Sequence, residues 1–222
     1  YVDLYQIHWP DRYVPMFGAT SYDVTQEREA TSVAEQLQAL GELVKAGKVR
    51  HIGLSNETPW GVMEFVRCAE PLGLPRIVSI QNAYHLLNRT FETGLAEVCH
   101  HTDVGLLAYS PLAFGWLTGK YLADPQTQGR ITLFPGFGQR YNKPNVPAAT
   151  QEYVRIAQQA GMTPATLALT FARTRQFMGS VILGATTLQQ LQENLASAEV
   201  PLSAETLAAI EAVHQRYPNP AP

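Results

Sequence analysis

Cysteine, charged residues and long apolar segments are all scarce in this 222-residue sequence. The two cysteines, Cys68 and Cys99, stand too far apart for a metal or redox motif, so we expect free thiols and a reducing, cytoplasmic compartment. The net charge of −3 argues against a nucleic-acid-binding groove, which needs an excess of Lys and Arg. No apolar run approaches the roughly 20 residues of a membrane span, and the first residues do not form a signal peptide. These absences predict a soluble globular protein with neither nucleic-acid nor membrane partners.

Common catalytic signatures are absent as well. The sequence has no G-x-S-x-G elbow, no H-E-x-x-H pair and no P-loop, which argues against the common hydrolases, zinc peptidases and nucleoside triphosphatases. His100 and His101 are adjacent and cannot share one helix face, so we predict no metal site there or elsewhere. The single Gly-x-Gly, at 136–138, falls in a predicted loop and lacks the third glycine of a dinucleotide-binding fingerprint.

The sequence does contain a regular alternation of short apolar runs and amphipathic segments. Apolar and β-branched runs predict strands over 1–9, 49–55, 77–82, 104–110 and 180–183. Apolar residues at helical spacing predict helices over 29–46, 58–72, 92–101, 148–160, 164–175, 187–198 and 203–216. Residues 113–147, rich in Gly and Pro, are predicted to form a long loop. This order is typical of an α/β fold, with a parallel sheet covered by helices in a single domain over 1–222.

Polar and aromatic residues collect where the predicted strands end. These residues are His8-Trp9, Ser55-Asn56, Gln81-Asn82, Tyr109-Ser110 and Gly184 to Thr186. In a TIM barrel the carboxyl ends of the strands converge on the face that carries the active site, which favours a barrel over an open doubly wound sheet. The plainer alternative is that loops are polar in general.

The chemistry of these strand ends suits a nicotinamide dinucleotide. Ser55, Asn56 and Gln81 offer uncharged donors and acceptors for a carboxamide, and Tyr109 offers a flat ring for stacking. The segment 184–186 leads into a helix, whose N-terminal amides commonly bind phosphate. His8 carries an imidazole N–H that can polarise a carbonyl beside the cofactor; the alternative is a structural histidine.

The same stretches carry a resemblance to a known family. The motifs are D-L-Y-Q-I-H-W at 3–9, G-K-V-R-H-I-G-L-S-N at 47–56, Q-N-A-Y at 81–84, Y-S-P-L at 109–112, G-K-Y at 119–121, and the segment from Gly184 to Asn194. In order and spacing they resemble the aldo-keto reductases. The resemblance implies a TIM (β/α)8 barrel that reduces aldehydes and ketones with a nicotinamide cofactor, usually NADPH. It also implies that this sequence holds strands 4–8 of the barrel, with their helices, and lacks strands 1–3.

The resemblance implies roles for individual residues. His8 is similar to the active-site histidine that orients the substrate carbonyl. Ser55, Asn56 and Gln81 resemble the residues that hold the carboxamide, and Tyr109 resembles the residue stacked on the nicotinamide. The residues implied along the pyrophosphate are Ser110, Pro111, Leu112, Gly115 and Lys120, with Arg130 as an extra phosphate contact. Those implied around the adenosine and its 2′-phosphate are Gly184, Thr186, Gln190, Glu193 and Asn194.

The sequence departs from the family pattern in two places. Mammalian-type members carry Lys and Arg where this sequence has Gly184 and Gln190. The channel-associated branch has the form found here and takes NADP, so NADPH is the expected cofactor and NADH stays open. The family's proton-donating tyrosine, with its lysine and aspartate, lies before the strand that begins this sequence. We therefore expect this sequence to be the C-terminal part of an NADPH-dependent reductase that acts on a small carbonyl substrate, and we expect this part to be inactive in isolation. The sequence predicts no oligomeric state. The alternative function is a non-catalytic, NADP-binding redox-sensing module.

Overall fold

The computed structural model describes residues 1–134 and 136–222, and within them five strands alternate with helices. The strands are β1 (Val2–Ile7), β2 (Val49–Ser55), β3 (Ile77–Ala83), β4 (Gly105–Tyr109) and β5 (Met178–Val181). The α-helices are α1 (Val33–Lys45), α2 (Pro59–Ala69), α3 (Leu95–Thr102), α4 (Lys120–Ala123), α5 (Arg130–Leu133), α6 (Asn145–Gln159), α7 (Pro164–Arg173), α8 (Leu188–Ala196) and α9 (Ala204–Arg216). Short 3-10 helices lie at Val24–Gln26, Thr90–Glu92, Ala113–Thr118, Gln139–Asn142 and Ser197–Glu199.

The strands pair in the order in which they occur along the chain. β1 and β2 run parallel with Ile7 opposite Leu54, and β2 and β3 run parallel with Ser55 opposite Gln81. This register brings the carboxyl ends of β1, β2 and β3 to one edge of the sheet. The α/β class with a parallel five-stranded sheet is therefore confirmed, while its identity as strands 4–8 of a partial TIM barrel and the single domain stay predictions.

The chain divides into two compact units. The first comprises Tyr1–Met16, Thr20–Asn82 and Phe91–Leu107. In this unit α1 packs against β2 and α2, and α2 packs against α3. Burial of the apolar side chains between these elements stabilises the unit. The side chains that form this core include Leu37, Ile52, Val62, Phe65, Ile80 and Leu106.

The second unit comprises Phe17–Ala19, Ala83–Thr90 and Ala108–Pro222. In it α6 packs against α7 and α9, and α7 also packs against α8 and β5. Its core is rich in aromatic rings: Tyr84 stacks on Phe171 with centroids 6.1 Å apart, and Tyr141 and Tyr153 are also buried. None of the helices in the described residues is long and apolar enough to cross a membrane.

Hydroxyl side chains determine where five of the helices begin. Each hydroxyl accepts a hydrogen bond from the backbone N–H three residues later, which satisfies a donor that the helix itself leaves free. The capping residues are Ser32, Thr58, Thr163, Thr187 and Ser203. At the other end of α1, the left-handed Gly47 (φ +68°) closes the helix through a bond from its N–H to the Val44 carbonyl.

Several predicted boundaries are wrong, and three of them show why. The first helix begins at Val33 rather than at 29, because Ser32 caps it. The long loop predicted over 113–147 contains α4, α5, two 3-10 helices and the start of α6, all too short or too irregular for a periodic signal. The last strand ends at Val181, two residues earlier than predicted, and the apolar Ile182 beyond it is 40% exposed.

Gly53 in β2 makes room for the polar side chains of both neighbouring strands. A Cβ at this position would lie 2.5 Å from the Ser79 hydroxyl, 2.9 Å from the Ser79 carbonyl oxygen and 3.3 Å from Cγ of Gln6. Backbone and short side chains cannot retreat from such a contact, so any larger residue at position 53 separates the strands that lead to the site.

We therefore expect Gly53→Ala to lower the free energy of unfolding by about 1–3 kcal/mol, the usual cost of overpacking. Urea titration measures the change. Gly184→Ala is the matched control, because a Cβ there meets no atom within 4 Å and its φ is not in the left-handed region. Equal stabilities of the two variants would contradict the steric role of Gly53.

Candidate functional site

In the first unit, Asn56 links the carboxyl ends of three strands. Its φ of +56° lies in the left-handed region, which asparagine tolerates better than most residues. The turn directs its N–H to the Gln81 carbonyl at 3.0 Å, and its side-chain amide donates to the His8 carbonyl at 2.9 Å. Ser55 adds a bond from its hydroxyl to the Gln81 carbonyl at 2.7 Å. The predicted carboxamide-holding residues Ser55, Asn56 and Gln81 are thus brought together beside His8.

The Gln81 side chain is oriented by its neighbour in β1. Its amide donates to Oε1 of Gln6 at 2.8 Å, and the Gln6 amide in turn donates to the Leu54 carbonyl at 3.1 Å. Oε1 of Gln81 accepts no hydrogen bond from any described residue. An oriented amide with a free acceptor suits the NH2 group of a carboxamide.

His8 follows the end of β1 and is exposed. Its imidazole packs against Trp9 with ring centroids 6.3 Å apart, and forms no hydrogen bond within the part of the chain that the structure describes. This position differs from that of a buried structural histidine. The ring is available to donate a hydrogen bond to a ligand beside the Asn56 turn.

In the second unit, Tyr109 ends β4 with its ring partly buried. Burial raises the pKa of the Tyr109 hydroxyl, and the Arg140 guanidinium, which hydrogen-bonds that hydroxyl, acts in the opposite direction. The phenol is therefore protonated at neutral pH. A protonated ring with its hydroxyl tethered offers an uncharged face for stacking.

The segment after β4 turns sharply and carries two basic residues. Ser110, Ala113, Phe114 and Gly115 all have positive φ, and the Gly115 N–H closes a turn by donating to the Leu112 carbonyl. This turn contains the predicted residues Ser110, Pro111, Leu112 and Gly115. A Cβ on Gly115 would lie only 2.8 Å from the Lys120 side chain, so glycine is what allows the lysine to cross there.

Lys120 and Arg130 lie against aromatic rings in this segment. The Lys120 ammonium lies 4.9 Å from the Tyr121 ring centroid and 3.5 Å from the Gln128 carbonyl, and the Arg130 guanidinium lies 4.3 Å from the ring centroid of Phe114. Neither group has a carboxylate partner among the described residues. Two unneutralised cations beside a tight turn fit a bound pyrophosphate.

The remaining predicted residues surround the start of α8. The Gln190 side chain accepts hydrogen bonds from the Thr186 N–H at 2.9 Å and the Thr186 hydroxyl at 3.1 Å. Asn194 is buried and donates to the Gly184 carbonyl at 3.3 Å, while Glu193 accepts from the Thr163 hydroxyl. These bonds fix the 184–187 turn ahead of the α8 N-terminus. The turn and helix, residues 184–196, contain no lysine or arginine.

The first unit is a parallel α/β structure with amide side chains at its strand ends, and in the second unit two cations after β4 have no carboxylate partner among the described residues. The comparisons with known proteins are more specific. A model of the aldo/keto reductase family matches residues 1–215. The chain belongs to the aldo/keto reductase family.

Individual relatives show how much of a longer protein this chain represents. It is 51% identical to Protein tas of Escherichia coli K12, over the whole chain and 64% of that protein. It is 42% identical to an aldo-keto reductase of Babesia bovis, over 88% of the chain and 73% of that protein. It is 30% identical to the NADH-specific methylglyoxal reductase of E. coli K12, over 91% of the chain and 56% of that protein. The chain thus spans a little under two thirds of the tas protein.

Sequence reasoning missed two buried polar pairs near the predicted residues. In the first unit Arg12 forms an ion pair with Glu57, immediately after Asn56. In the second unit His85 is completely buried and lies 3.4 Å from the Tyr141 hydroxyl. Both pairs join residues far apart in the sequence, so no spacing rule could have found them.

Burial keeps His85 uncharged. Loss of hydration lowers its pKa to about 3, with a smaller effect from the Arg140 charge, and burial also raises the pKa of Tyr141. Nδ1 of His85 accepts the Leu87 N–H at 3.2 Å, so in the neutral ring the proton resides on Nε2, which faces Tyr141. Protonating Nδ1 would remove that acceptor.

We expect stability to fall with pH below about 6.5, because the unfolded chain then protonates His85 while the folded chain does not until about pH 3. In that pH window His85 contributes up to about 1.4 kcal/mol per pH unit to the slope of the free energy of unfolding against pH. His85→Asn retains an acceptor for Leu87 and should lose this part of the slope in urea titrations at several pH values. The exposed His101→Asn is the control and should retain it; identical slopes in both variants would contradict the assignment.

Proposed function

We propose that the complete gene product containing this chain is a nicotinamide-dependent reductase of aldehydes or ketones that uses NADPH. The observation that carries the proposal is the Asn56 turn, which brings the His8, Ser55 and Gln81 positions together at one sheet edge. Membership of the aldo/keto reductase family and the reductase names of its relatives support the same reaction class. The free thiols of Cys68 and Cys99 support a cytoplasmic location.

Each residue then has a role set by its chemistry. The nicotinamide, when bound, supplies hydride to the carbonyl carbon. Ser55, Asn56 and Gln81 would hold its carboxamide, and Tyr109 would support the ring by stacking. His8 would donate a hydrogen bond to the carbonyl oxygen, where negative charge develops as hydride arrives. Lys120 and Arg130 would bind the pyrophosphate, with Ser110, Pro111, Leu112 and Gly115 forming the backbone of that turn.

NADPH is proposed over NADH because the 184–194 segment has the form found in the channel-associated branch of the family, which takes NADP. Gly184, Thr186, Gln190, Glu193 and Asn194 would surround the adenosine, and they offer hydrogen bonds but no cation to a 2′-phosphate. Arg130 is the cation proposed to supply that charge as well as the pyrophosphate contact. A 30% identical relative is named as NADH-specific, so the preference is a property to be measured on this protein.

The reductase assignment is tested on the full-length gene product. We expect NADPH consumption with at least one member of a panel of aldehydes and ketones, followed by absorbance. His8→Ala should lower kcat by about 10²–10⁴-fold, the range for a polarising or proton-transferring group, while NADPH still binds. Tight NADPH binding without turnover of any carbonyl would contradict the reductase and indicate the redox-sensing module instead.

The proposed contact of Lys120 with the pyrophosphate predicts that Lys120→Met weakens the binding of both NADPH and NADH. Loss of a charge-assisted hydrogen bond worth about 1.5–3 kcal/mol should raise the Kd of NADPH and of NADH by about ten- to a hundredfold, because both contain the pyrophosphate. Fluorescence titration measures each Kd. Lys48→Met makes the same charge change just before β2 and should alter neither; a Lys120→Met variant with unchanged affinities would refute the phosphate contact.

A further inference from the structure

We propose that the Arg12–Glu57 ion pair is a positioning device that fixes the Asn56 turn in its productive geometry. Arg12 and Glu57 are positioning residues here, since they act through Asn56 and its neighbours. The inference rests on the proposed function, because the turn matters only if it holds a carboxamide. It assigns a purpose to a buried charge pair that the reductase chemistry itself does not use.

The Glu57 carboxylate is buried and surrounded by donors. Its side chain is 3% exposed, and the two terminal nitrogens of Arg12 donate to its two oxygens at 2.9 and 2.5 Å. The Thr58 N–H donates to the same carboxylate at 2.6 Å. The parallel arrangement of guanidinium and carboxylate fixes direction as well as distance, so the pair holds residue 57 in one orientation.

The surrounding residues are shaped to accept this pair. A Cβ on Gly61 would lie 2.2 Å from the Glu57 carboxyl group, so only glycine leaves space for the carboxylate against α2. The Arg12 guanidinium also lies over the Trp60 ring, 4.7 Å from the ring centroid, and its side chain is 23% exposed. Arg12 also donates to the Thr58 hydroxyl at 3.0 Å, the same oxygen that caps α2.

Residue 57 is held through its backbone as well. The Glu57 carbonyl accepts a hydrogen bond from the side chain of Asn82, at the end of β3, at 3.0 Å. Glu57 is therefore connected to the start of α2, to the end of β3 and, through Arg12, to the segment after β1. Asn56 lies directly before it, so movement of residue 57 would rotate the left-handed turn.

Arg12 connects this anchor to the segment that carries His8. Only three residues lie between His8 and Arg12, and Asn56 already donates to the His8 carbonyl. Exposed hydrogen bonds also tie this segment to residues further along the chain: Arg28 donates to the Asp11 carbonyl at 2.8 Å, and Asp11 accepts the Thr31 N–H at 2.8 Å. The Arg12–Glu57 pair would therefore hold both the polarising residue, His8, and the carboxamide-holding residues in position.

The test uses the full-length gene product with Arg12→Met and the conservative Arg12→Lys. We expect kcat to fall about ten- to a hundredfold in Arg12→Met, because a displacement of the reacting groups by about 1 Å has an effect of this size. In Arg12→Lys we expect kcat to recover in part. A binding measurement separates the two ends of the cofactor. The Kd of nicotinamide mononucleotide should rise about tenfold, while that of adenosine 2′,5′-bisphosphate should stay within about twofold, since the anchor lies at the carboxamide end.

Arg50→Met is the matched control, because Arg50 pairs with Asp3 between the same two strands but near their opposite ends, on the surface. It should change neither kcat nor either Kd. The double variant Arg12→Met/Glu57→Leu removes the charge pair without leaving a carboxylate buried and unpaired. We expect it to melt near the parental Tm and yet to keep the low kcat.

The outcomes separate this inference from the proposed function. A parental protein that neither binds NADPH nor reduces a carbonyl overturns the proposed function. If the parental protein binds NADPH and reduces a carbonyl, and the double variant recovers both Tm and kcat, the positioning role is overturned. The ion pair then contributes to stability only. Equal weakening of both cofactor fragments in Arg12→Met would also overturn it.

Discussion

The parallel register of β1, β2 and β3 determines what the first unit can do. Ile7 opposite Leu54 and Ser55 opposite Gln81 place three strand ends side by side, and backbone carbonyls at such ends need donors. Asn56 supplies two of these donors from one residue, its N–H to Gln81 and its side-chain amide to His8. A shift of one residue in the register of either strand pair would turn the side chains of the shifted strand to the opposite face of the sheet, and the strand-end residues would no longer lie together.

Glycine and polar side chains in the sheet support the same arrangement. Gly53 leaves the space in which Gln6 and Ser79 approach each other across β2, 3.4 Å apart between amide and hydroxyl. Gln6 then orients Gln81 by a hydrogen bond to its amide. The interior of the sheet thus contains a connected series of hydrogen bonds that runs from β1 to β3 and ends at a free acceptor, and connected polar groups of this kind rigidify the residues they join.

Much of the fold could be predicted, because it depends on periodicity. The strand at 49–55 was predicted with its observed bounds, since a β-branched, apolar run between Gly47 and the Thr58-Pro59 helix start leaves little freedom. The strand-end residues of the candidate site could be predicted from the family motifs. The Arg12–Glu57 pair and the buried His85 could not be predicted, because each depends on tertiary packing between distant residues. The short helices between 113 and 147 are set by local turns rather than by an apolar face.

The partners of the basic residues support the proposed division between cations that hold structure and cations that would bind a ligand. Arg12 has its charge cancelled by a buried carboxylate and lies over the Trp60 ring, so little of its field extends to the surroundings. Lys120 and Arg130 lie instead against the rings of Tyr121, Phe114 and Phe137, which attract a cation without neutralising it. A cation held by aromatic faces keeps its full charge for an incoming phosphate, whereas a cation in a bidentate ion pair would have to break that pair first. In the proposed roles, Arg12 fixes geometry in the first unit and Arg130 offers charge in the second, and the difference is set by whether a carboxylate lies beside the guanidinium.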